Sequence, residues 1–341
     1  MARFDFGVRL PVLAAPMAGG PGTPALVIAA ARAGSLGFIA AGYKTPEDLA
    51  AQLDQVGVAG VPCGVNLFSP NPVPADLAEF QRYARLMRRE ADRYGVALPD
   101  GGPVEDDDRW HDKVDLLRAR QVPAVSFTFG LPPASDLTAL RRTGALLIQT
   151  VTSPAEADAA ARAGLDAVAA QAASAGGHSA TFTPHRPPPA LPAAELVAAV
   201  RHVTALPILA AGGIATPAEV AAVLLAGADA VAVGTALLLS DEAGTSATHR
   251  AALADPDRRG TVVTRAFTGR PARGLRNEFI DDYEPVAPYG YPALHHLTSG
   301  IRKAAAAAGD PERVHLWAGT GYSHAATGPA GAILTALASA G

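Results

Sequence analysis

Short apolar runs alternate with alanine-rich segments along most of the 341-residue chain. Apolar runs without polar interruption are typical of strands that are buried on both faces, as in a parallel sheet. The alanine-rich segments have the length of helices, so the pattern predicts repeated strand–helix units. We predict strands at residues 10–16, 37–42, 62–68, 124–130, 145–151, 167–172, 206–213 and 231–239. Eight such units predict an α/β fold of the TIM (β/α)8 barrel type.

Sequence signals for the starts and ends of helices support this assignment of strands and helices. Residues 45–47, 153–156 and 216–219 each place a hydroxyl residue at the N-cap, a proline at the first helical position and an early carboxylate. Gly164 and Gly227 are expected to end the last two of these helices.

Two segments, residues 74–111 and 242–312, do not fit the alternation of strands and helices. Both follow predicted strands, and the carboxyl ends of barrel strands meet at one face, so both segments can cover that face. We therefore expect a smaller, mostly helical cap or substrate domain inserted into the barrel. The expected organisation is a barrel of residues 1–73 and 112–241, a cap of residues 74–111 and 242–312, and a C-terminal segment, 313–341, that returns to the barrel.

Charge and cysteine content narrow the class of protein. A formal net charge of -4 provides no basic surface, which argues against nucleic acid as a partner. The single cysteine, Cys63, excludes an internal disulfide, fits a reducing cytoplasm and is expected in the core. Four prolines interrupt the uncharged stretch 10–31, so we expect neither a membrane span nor a signal sequence there. We expect a cytoplasmic monomer or homodimer.

Glycine-containing turns are expected at the seventh and eighth predicted strands, and TIM barrels commonly bind phosphate groups after these strands. Gly212 and Gly213 precede a helix cap, and Gly234 is followed by Thr235. Backbone amides at these turns, together with the threonine hydroxyl, would cradle a phosphate. The alternative is that the glycines only make tight strand-to-helix turns.

Amide side chains lie near the ends of two other predicted strands, with Asn66 in the third and Gln171 in the sixth. An isoalloxazine ring needs amide donors and acceptors at its pyrimidine edge, which these side chains would supply. The segment Ala15, Pro16 and Met17 would bring backbone and a thioether to the ring, although a methionine alone is more typical of a core. Either amide could instead be a satisfied core group.

The loop after the sixth predicted strand contains Gly176, Gly177 and His178. The two glycines allow the backbone to approach a flat or anionic ligand closely, and histidine titrates near neutrality. We interpret His178 as the candidate catalytic residue; the alternative is a capping or surface histidine. His185, His295 and His296 have no metal-ligand spacing and are expected on the surface or in the cap, so no metal site is predicted.

Seven sequence blocks extend from the first predicted strand to near the C-terminus. They are LPVLAAPMAGG (10–20), GVNLF (64–68), VSFTFG (125–130), AGGH (175–178), AAGGI (210–214), GRPARGLRN (269–277) and LWAG (316–319). Together they resemble the bacterial nitronate monooxygenases, formerly called 2-nitropropane dioxygenases. The resemblance covers most of the chain.

The resemblance implies a TIM barrel with one FMN that oxidises alkyl nitronates with dioxygen to a carbonyl compound and nitrite. A nitronate is an electron-rich anion, so a flavin can accept one electron from it, forming an anionic semiquinone and a substrate radical that meets dioxygen. His178 is implied to be catalytic: protonated, it would hold the nitronate, and neutral, it would take the α-proton of a nitroalkane. The implied FMN contacts are Asn66, Gln171, Gly176, Gly213, Ala232, Val233, Gly234 and Thr235.

The chain departs from the family pattern around the histidine loop. The family usually has an arginine and a glycine after AGGH, and a glycine and a glutamate ahead of it. This chain has Ser179, Ala180, Ala172 and Ser174 at these positions, and Thr320 in place of a common glutamine. The substrate pocket can therefore differ, and its candidate residues are Ser174, Ser179, Tyr289 and Tyr291.

The GRPARGLRN block contributes Arg270, Arg273 and Arg276, which either hold a substrate anion or form ion pairs between cap and barrel.

Three other functions fit the same residues. An FMN-dependent enoyl-acyl-carrier-protein reductase shares the GGH loop, although APMAGG and LWAG favour the monooxygenase. A flavin-free isomerase or synthase would hold a phosphorylated substrate on the glycine turns, and a flavin-binding protein would have little activity of its own. For the monooxygenase, the expected partners are a small nitronate and dioxygen.

Overall fold

The computed structural model describes residues 7–186, 188–258 and 260–339, so the domain ends expected at residues 1 and 341 lie outside the described residues. The strands of the described residues are, in chain order, β1 (Val12–Ala14), β2 (Phe38–Ala40), β3 (Gly64–Phe68), β4 (Ala124–Thr128), β5 (Leu146–Val151), β6 (Ala167–Gln171), β7 (Gly177–His178), β8 (Ile208–Ala211), β9 (Ala230–Val233), β10 (Thr261–Thr264) and β11 (Ala272–Leu275).

Eight of these strands form one parallel sheet in the order β1-β9-β8-β6-β5-β4-β3-β2. A parallel bridge between Ala14 and Gly37 joins the two ends of the sheet, and the result is a TIM barrel, as predicted. Each predicted strand contributes to the barrel. The eighth, however, was expected to extend to residue 239, and it ends at Val233 because the chain turns into a 3-10 helix at Thr235–Leu237. The buried leucines after this turn imitate a strand in the sequence.

Helices connect the strands. They are α1 (Pro24–Arg32), α2 (Pro46–Val58), α3 (Leu77–Tyr94), α4 (Trp110–Ala119), α5 (Ala134–Arg141), α6 (Pro154–Arg162), α7 (Ala193–Arg201), α8 (Pro217–Leu225), α9 (Ala247–Ala254), α10 (Glu278–Tyr283), α11 (Ala293–Ala307) and α12 (Ala330–Ala338). Within the described ranges, none of them combines the length and the apolar character that crossing a membrane requires.

The three predicted helix caps are confirmed. The hydroxyl groups of Thr45, Ser153 and Thr216 each accept a hydrogen bond from the backbone amide three residues later. Gly164 and Gly227 follow their helices with positive φ angles of 80° and 109°, a conformation that glycine adopts without a steric penalty. Cys63 is 6% exposed and belongs to the barrel core, as expected.

A second hydrophobic core lies outside the barrel core. Phe80, Tyr83 and Met87 on α3 pack with Phe267 and Phe279, and the Tyr83 hydroxyl donates to the carbonyl of Ala266 at 2.6 Å. The residues of α11 that face α3 complete this cluster. By contrast, α4 packs on the barrel through its buried face.

A small antiparallel sheet connects the second core to the barrel. It has the order β10-β11-β7, and β7 is the loop segment that follows β6. Its register pairs His178 with Ala272 and Gly177 with Arg273. The segment that contains the candidate catalytic residue is therefore fixed by strand pairing, not left as a free loop.

Candidate active site

A cavity of about 550 Å³ lies at the carboxyl ends of the barrel strands. Its other wall is formed by α11 and by the segment 314–321. Every residue that the sequence suggested as a cofactor contact lines this cavity, together with His178. These residues are Ala15, Pro16, Met17, Asn66, Gln171, Gly176, Gly177, Gly212, Gly213, Ala232, Val233, Gly234 and Thr235.

Glycines make one end of the cavity narrow. Gly212 and Gly213 have φ angles of 101° and 71°, and a Cβ atom on Gly213 would lie 2.7 Å from the Ser174 hydroxyl oxygen. A Cβ atom on Gly176 would lie 2.5 Å from the backbone nitrogen of Gly319. A side chain at Gly176 would therefore displace backbone, and one at Gly213 would displace the side chain of Ser174. This end of the cavity is shaped by backbone, the arrangement that suits an anionic group.

The two predicted amides lie in this cavity but differ in their hydrogen bonds. Asn66 donates from Nδ2 to the hydroxyl groups of Ser126 (2.9 Å) and Thr128 (3.0 Å), and its Oδ1 has no bond within the described ranges. Gln171 donates from Nε2 to the carbonyl of His178 at 3.2 Å, and its Oε1 accepts from the amide of Ala180 at 2.8 Å. Gln171 therefore holds the loop that carries His178 through two hydrogen bonds. The Oδ1 atom of Asn66 remains available as a hydrogen-bond acceptor for a ligand.

The His178 ring is held on several sides. Its Nε2 lies 2.9 Å from the hydroxyl oxygen of Thr268. The rings of Phe129, Tyr291 and Trp317 surround it at centroid distances of 5.8, 5.6 and 5.6 Å. Desolvation by these neighbours, together with the positive charges of two arginines, lowers the pKa of His178 to about 3. The imidazole is therefore neutral at physiological pH.

Those arginines, Arg270 and Arg302, are 0% and 5% exposed. Neither has a carboxylate within 4.0 Å in the described part of the chain. The guanidinium of Arg270 stacks on Phe129 at 4.0 Å and donates to the carbonyl of Thr181 at 2.6 Å. Arg302 donates from Nε to the Thr298 hydroxyl at 3.1 Å and from Nη2 to the carbonyl of His295 at 3.0 Å. Two buried positive charges beside His178 make this site favourable for an anion.

Arg302 differs from Arg270 because it lines the cavity. Among the described residues, its Nη1 has no hydrogen-bond partner. On α11, Arg302 shares one face with His295 and Ser299, at helical spacings of seven and three residues. Sequence reasoning missed Arg302. The available signal was its position on the helical face that it shares with His295, a residue for which the sequence predicts only a surface or cap location.

Two further histidines line the cavity with unsatisfied nitrogen atoms. Nε2 of His249 and Nδ1 of His315 are buried and have no hydrogen-bond partner in the ranges that the structure describes. Burial lowers the pKa of His249 to about 4 and that of His315 well below its usual value, so both are neutral. They offer neutral polar atoms to a ligand, and no motif in the sequence pointed to either one.

A second, outer cavity of about 450 Å³ adjoins the first. Tyr43, Phe68, Phe129 and His295 line both cavities and so form the wall between them. Tyr43 stacks on His295 at 4.1 Å with an interplanar angle of 3°, and the hydroxyl of Tyr291 donates to that of Tyr43 at 3.1 Å. An aromatic partition therefore separates the inner cavity from the outer one.

The candidate substrate residues lie in different places. Tyr291 contacts His178 and lines the outer cavity, whereas Tyr289 lies beside Arg265 (4.7 Å) and His185 (4.2 Å). Ser174 and Ser179 lie on either side of the segment 176–178. The carbonyl of Ser174 accepts a hydrogen bond from the amide of Thr320, and the carbonyl of Ser179 accepts one from the guanidinium of Arg270. None of these four is among the residues that line the inner cavity.

The other arginines of the GRPARGLRN block have structural contacts. Arg273 donates to the carbonyl of Ala173 at 2.8 Å, which ties β11 to the loop after β6. Arg276 forms an exposed ion pair with Asp281 at 2.7 Å. Neither lines the inner cavity.

Comparisons with known proteins show similarity over almost the whole chain. A family model described as nitronate monooxygenase matches residues 4–339. A protein of Staphylococcus aureus named probable nitronate monooxygenase is 36% identical over 336 residues, which cover 96% of this chain and 93% of that protein. The structure of a nitroalkane oxidase from Streptomyces ansochromogenes has a TM-score of 0.91 and 44% identity, covering 98% of this chain and 96% of that chain. FabK from Thermotoga maritima has a TM-score of 0.75 and 26% identity, covering 98% and 93%.

Proposed function

The chain belongs to the nitronate monooxygenase family of oxidoreductases, and we propose that it binds FMN and oxidises alkyl nitronates with dioxygen to a carbonyl compound and nitrite. The observation that carries this proposal is one cavity that is lined by the backbone turns at Gly213 and Gly234, by a neutral histidine and by Arg302. The buried guanidinium of Arg302 has no carboxylate partner among the described residues. The similarity to a nitroalkane oxidase supports nitroalkanes as additional substrates.

The cavity has the polar groups that FMN requires. The glycine turns after β8 and β9 would hold its phosphate, with Thr235 as a hydroxyl donor. Asn66 would offer its open Oδ1 to the pyrimidine edge, and Ala15, Pro16 and Met17 would bring backbone and a thioether to the ring. Bound FMN supplies one-electron oxidation of an electron-rich substrate.

We assign the substrate contacts to His178 and Arg302. A nitronate carries its negative charge on the nitro oxygens, and the guanidinium of Arg302, whose side chain is buried, would hold that charge. Neutral His178 would accept the α-proton of a nitroalkane, because burial leaves the ring unprotonated and Arg302 would stabilise the negative charge that develops on the nitro group. Of the two roles that the sequence left open for His178, the environment favours the neutral one.

We further propose that the segments 74–111 and 242–312 act as a cap over the cavity. The supporting observation is that α11 provides one wall of the cavity and packs against α3 on its other side. Closure would exclude water around Arg302 and His178.

The test starts from the purified protein reconstituted with FMN. We expect a yellow protein whose flavin is reduced under anaerobic conditions by ethyl nitronate and only slowly by NADH or NADPH. Rapid reduction by a nicotinamide donor without any nitro compound would indicate the enoyl reductase instead. A colourless protein that takes up no FMN would contradict both flavin functions and favour a phosphate-binding isomerase or synthase.

A further inference from the structure

We propose that Thr268 is a positioning residue that holds His178 as the Nε2–H tautomer, so that Nδ1 is the nitrogen that faces the ligand. The tautomer follows from hydrogen bonds of the chain alone. The catalytic consequence rests on the proposed function, because it concerns the proton taken from a nitroalkane.

The hydrogen bonds of one hydroxyl group decide the tautomer. Thr268 is 1% exposed, and its Oγ1 lies 2.9 Å from Nε2 of His178 and 3.2 Å from the carbonyl oxygen of Arg270. A carbonyl oxygen can only accept, and a hydroxyl has one hydrogen, so that hydrogen goes to Arg270. The hydroxyl oxygen must then accept from His178, which places the imidazole hydrogen on Nε2.

The other ring nitrogen has no partner in the protein. Within the described residues Nδ1 of His178 makes no hydrogen bond, and His178 lines the cavity. The opposite tautomer would leave an N–H group there without an acceptor, and in proteins a buried N–H group without a partner is rarer than an acceptor with an open lone pair. The charged and titratable groups around the ring are Arg270, Arg302, His295 and Tyr291, and positive charge favours a lone pair over an N–H directed at it.

Backbone contacts constrain the turn that carries Thr268. The amides of Thr268 and Gly269 both donate to the carbonyl of Arg265, at 3.1 and 2.7 Å. Gly269 has a φ of 74°, and a Cβ atom there would lie 2.8 Å from the backbone of Gly290. On the other side, β7 pairs His178 with Ala272. Both partners of the Thr268–His178 hydrogen bond are therefore fixed by backbone contacts.

This arrangement assigns the proton transfer to one atom. Nδ1 of His178 takes the α-proton of a neutral nitroalkane: the C–H bond breaks, an N–H bond forms, and the electron pair of the C–H bond moves to the nitro group to give the nitronate. The resulting imidazolium keeps its Nε2–H bond to Thr268. A substrate supplied as the nitronate does not need this step.

The first test is a spectroscopic one that requires no turnover. The ¹⁵N shifts of protonated and unprotonated imidazole nitrogens are well separated, and the His178 signals among the 9 histidines are identified by their loss in the His178→Gln variant. We expect an unprotonated Nδ1 and a protonated Nε2 at neutral pH. A protonated Nδ1 would overturn the proposal whether or not the protein oxidises nitronates.

The second test compares substrates in two variants. Thr268→Val keeps the shape of the side chain but removes the acceptor, and Thr268→Ser restores it. We expect Thr268→Val to lose at least about 10-fold in kcat/KM for neutral nitroethane but less than about 3-fold for ethyl nitronate, because general base catalysis contributes roughly 100-fold or more. Thr268→Ser should recover most of the nitroethane activity. Equal losses on both substrates in Thr268→Val, or no rescue by serine, would show a merely structural role and contradict the proposal.

Discussion

Arg302 is expected to bind the negative charge of the substrate, and replacing it by glutamine tests this directly. The side chain is 5% exposed, Nε and Nη2 are held by Thr298 and His295, and no carboxylate among the described residues neutralises it. Nη1 is the donor that has no partner in the described protein, so an anion in the cavity would supply one.

The size of the effect follows from the chemistry of that contact. A hydrogen bond to a charged group contributes about 1.5–3 kcal/mol, and each 1.4 kcal/mol changes an equilibrium constant about tenfold. Arg302→Gln should therefore weaken binding of an anionic ligand roughly 10- to 150-fold. Because a positive charge at Arg302 also lowers the pKa of His178, that pKa should rise in the variant.

The assay uses nitrite as a non-reacting anion, with its Kd measured from the change in flavin absorbance, and the KM for ethyl nitronate. Arg250→Gln is the matched control, because Arg250 is a half-buried arginine that donates to the carbonyls of Leu238, Leu239 and Ser240 and does not line the cavity. We expect a normal Kd for nitrite in the control. An unchanged Kd in Arg302→Gln, or an equal rise in both variants, would refute the role of Arg302.

Three further predictions concern the histidine and the glycine turns. His178→Asn should abolish oxidation of nitroethane while FMN remains bound, as measured by flavin absorbance and nitrite release; full activity would show that His178 is not the base. Because the fold lowers the pKa of His178 from 6.5 to about 3, its contribution to the free energy of unfolding is complete above pH 6.5 and is lost as pH falls toward 3. His178→Gln should therefore reduce the acid sensitivity measured in urea titrations, and an unchanged pH dependence would contradict the low pKa. Gly176→Ala should lose FMN affinity, since its Cβ atom would lie 2.5 Å from the nitrogen of Gly319 and 2.6 Å from the carbonyl carbon of Ala318. Gly57→Ala, in α2 with no atom within 4 Å of the added Cβ, should bind FMN normally, and equal FMN affinity in the two variants would disprove the close packing.

The barrel could be predicted from the sequence because its signals are local. Continuous apolar runs mark strands that are covered on both faces, and the helix caps at Thr45, Ser153 and Thr216 each lie within four residues of their partner. The one overextended strand, beyond Val233, shows the limit of such signals. Buried leucines in a 3-10 turn and in a strand have the same pattern over a few residues.

The surroundings of His178 could not be predicted in the same way. Thr268, Tyr43 and Arg302 meet the histidine or its cavity from segments that are 90 or more residues away in the chain. Thr268 lies in the turn before β11, Arg302 lies on α11, and Tyr43 lies between β2 and α2. Their roles depend on how these segments pack together, and a single sequence contains no record of that packing. The same reason explains why Tyr289 was grouped with Tyr291, although it lies beside Arg265 instead.

Dioxygen consumption by the FMN-loaded protein, recorded with ethyl nitronate while nitrite is assayed in the same sample, decides whether this protein oxidises nitronates. The proposed function predicts rapid dioxygen uptake with release of nitrite and acetaldehyde. At low nitronate concentration, the uptake and the release of both products should be lost in Arg302→Gln. A protein that retains FMN but consumes no dioxygen and releases no nitrite with any alkyl nitronate would contradict it.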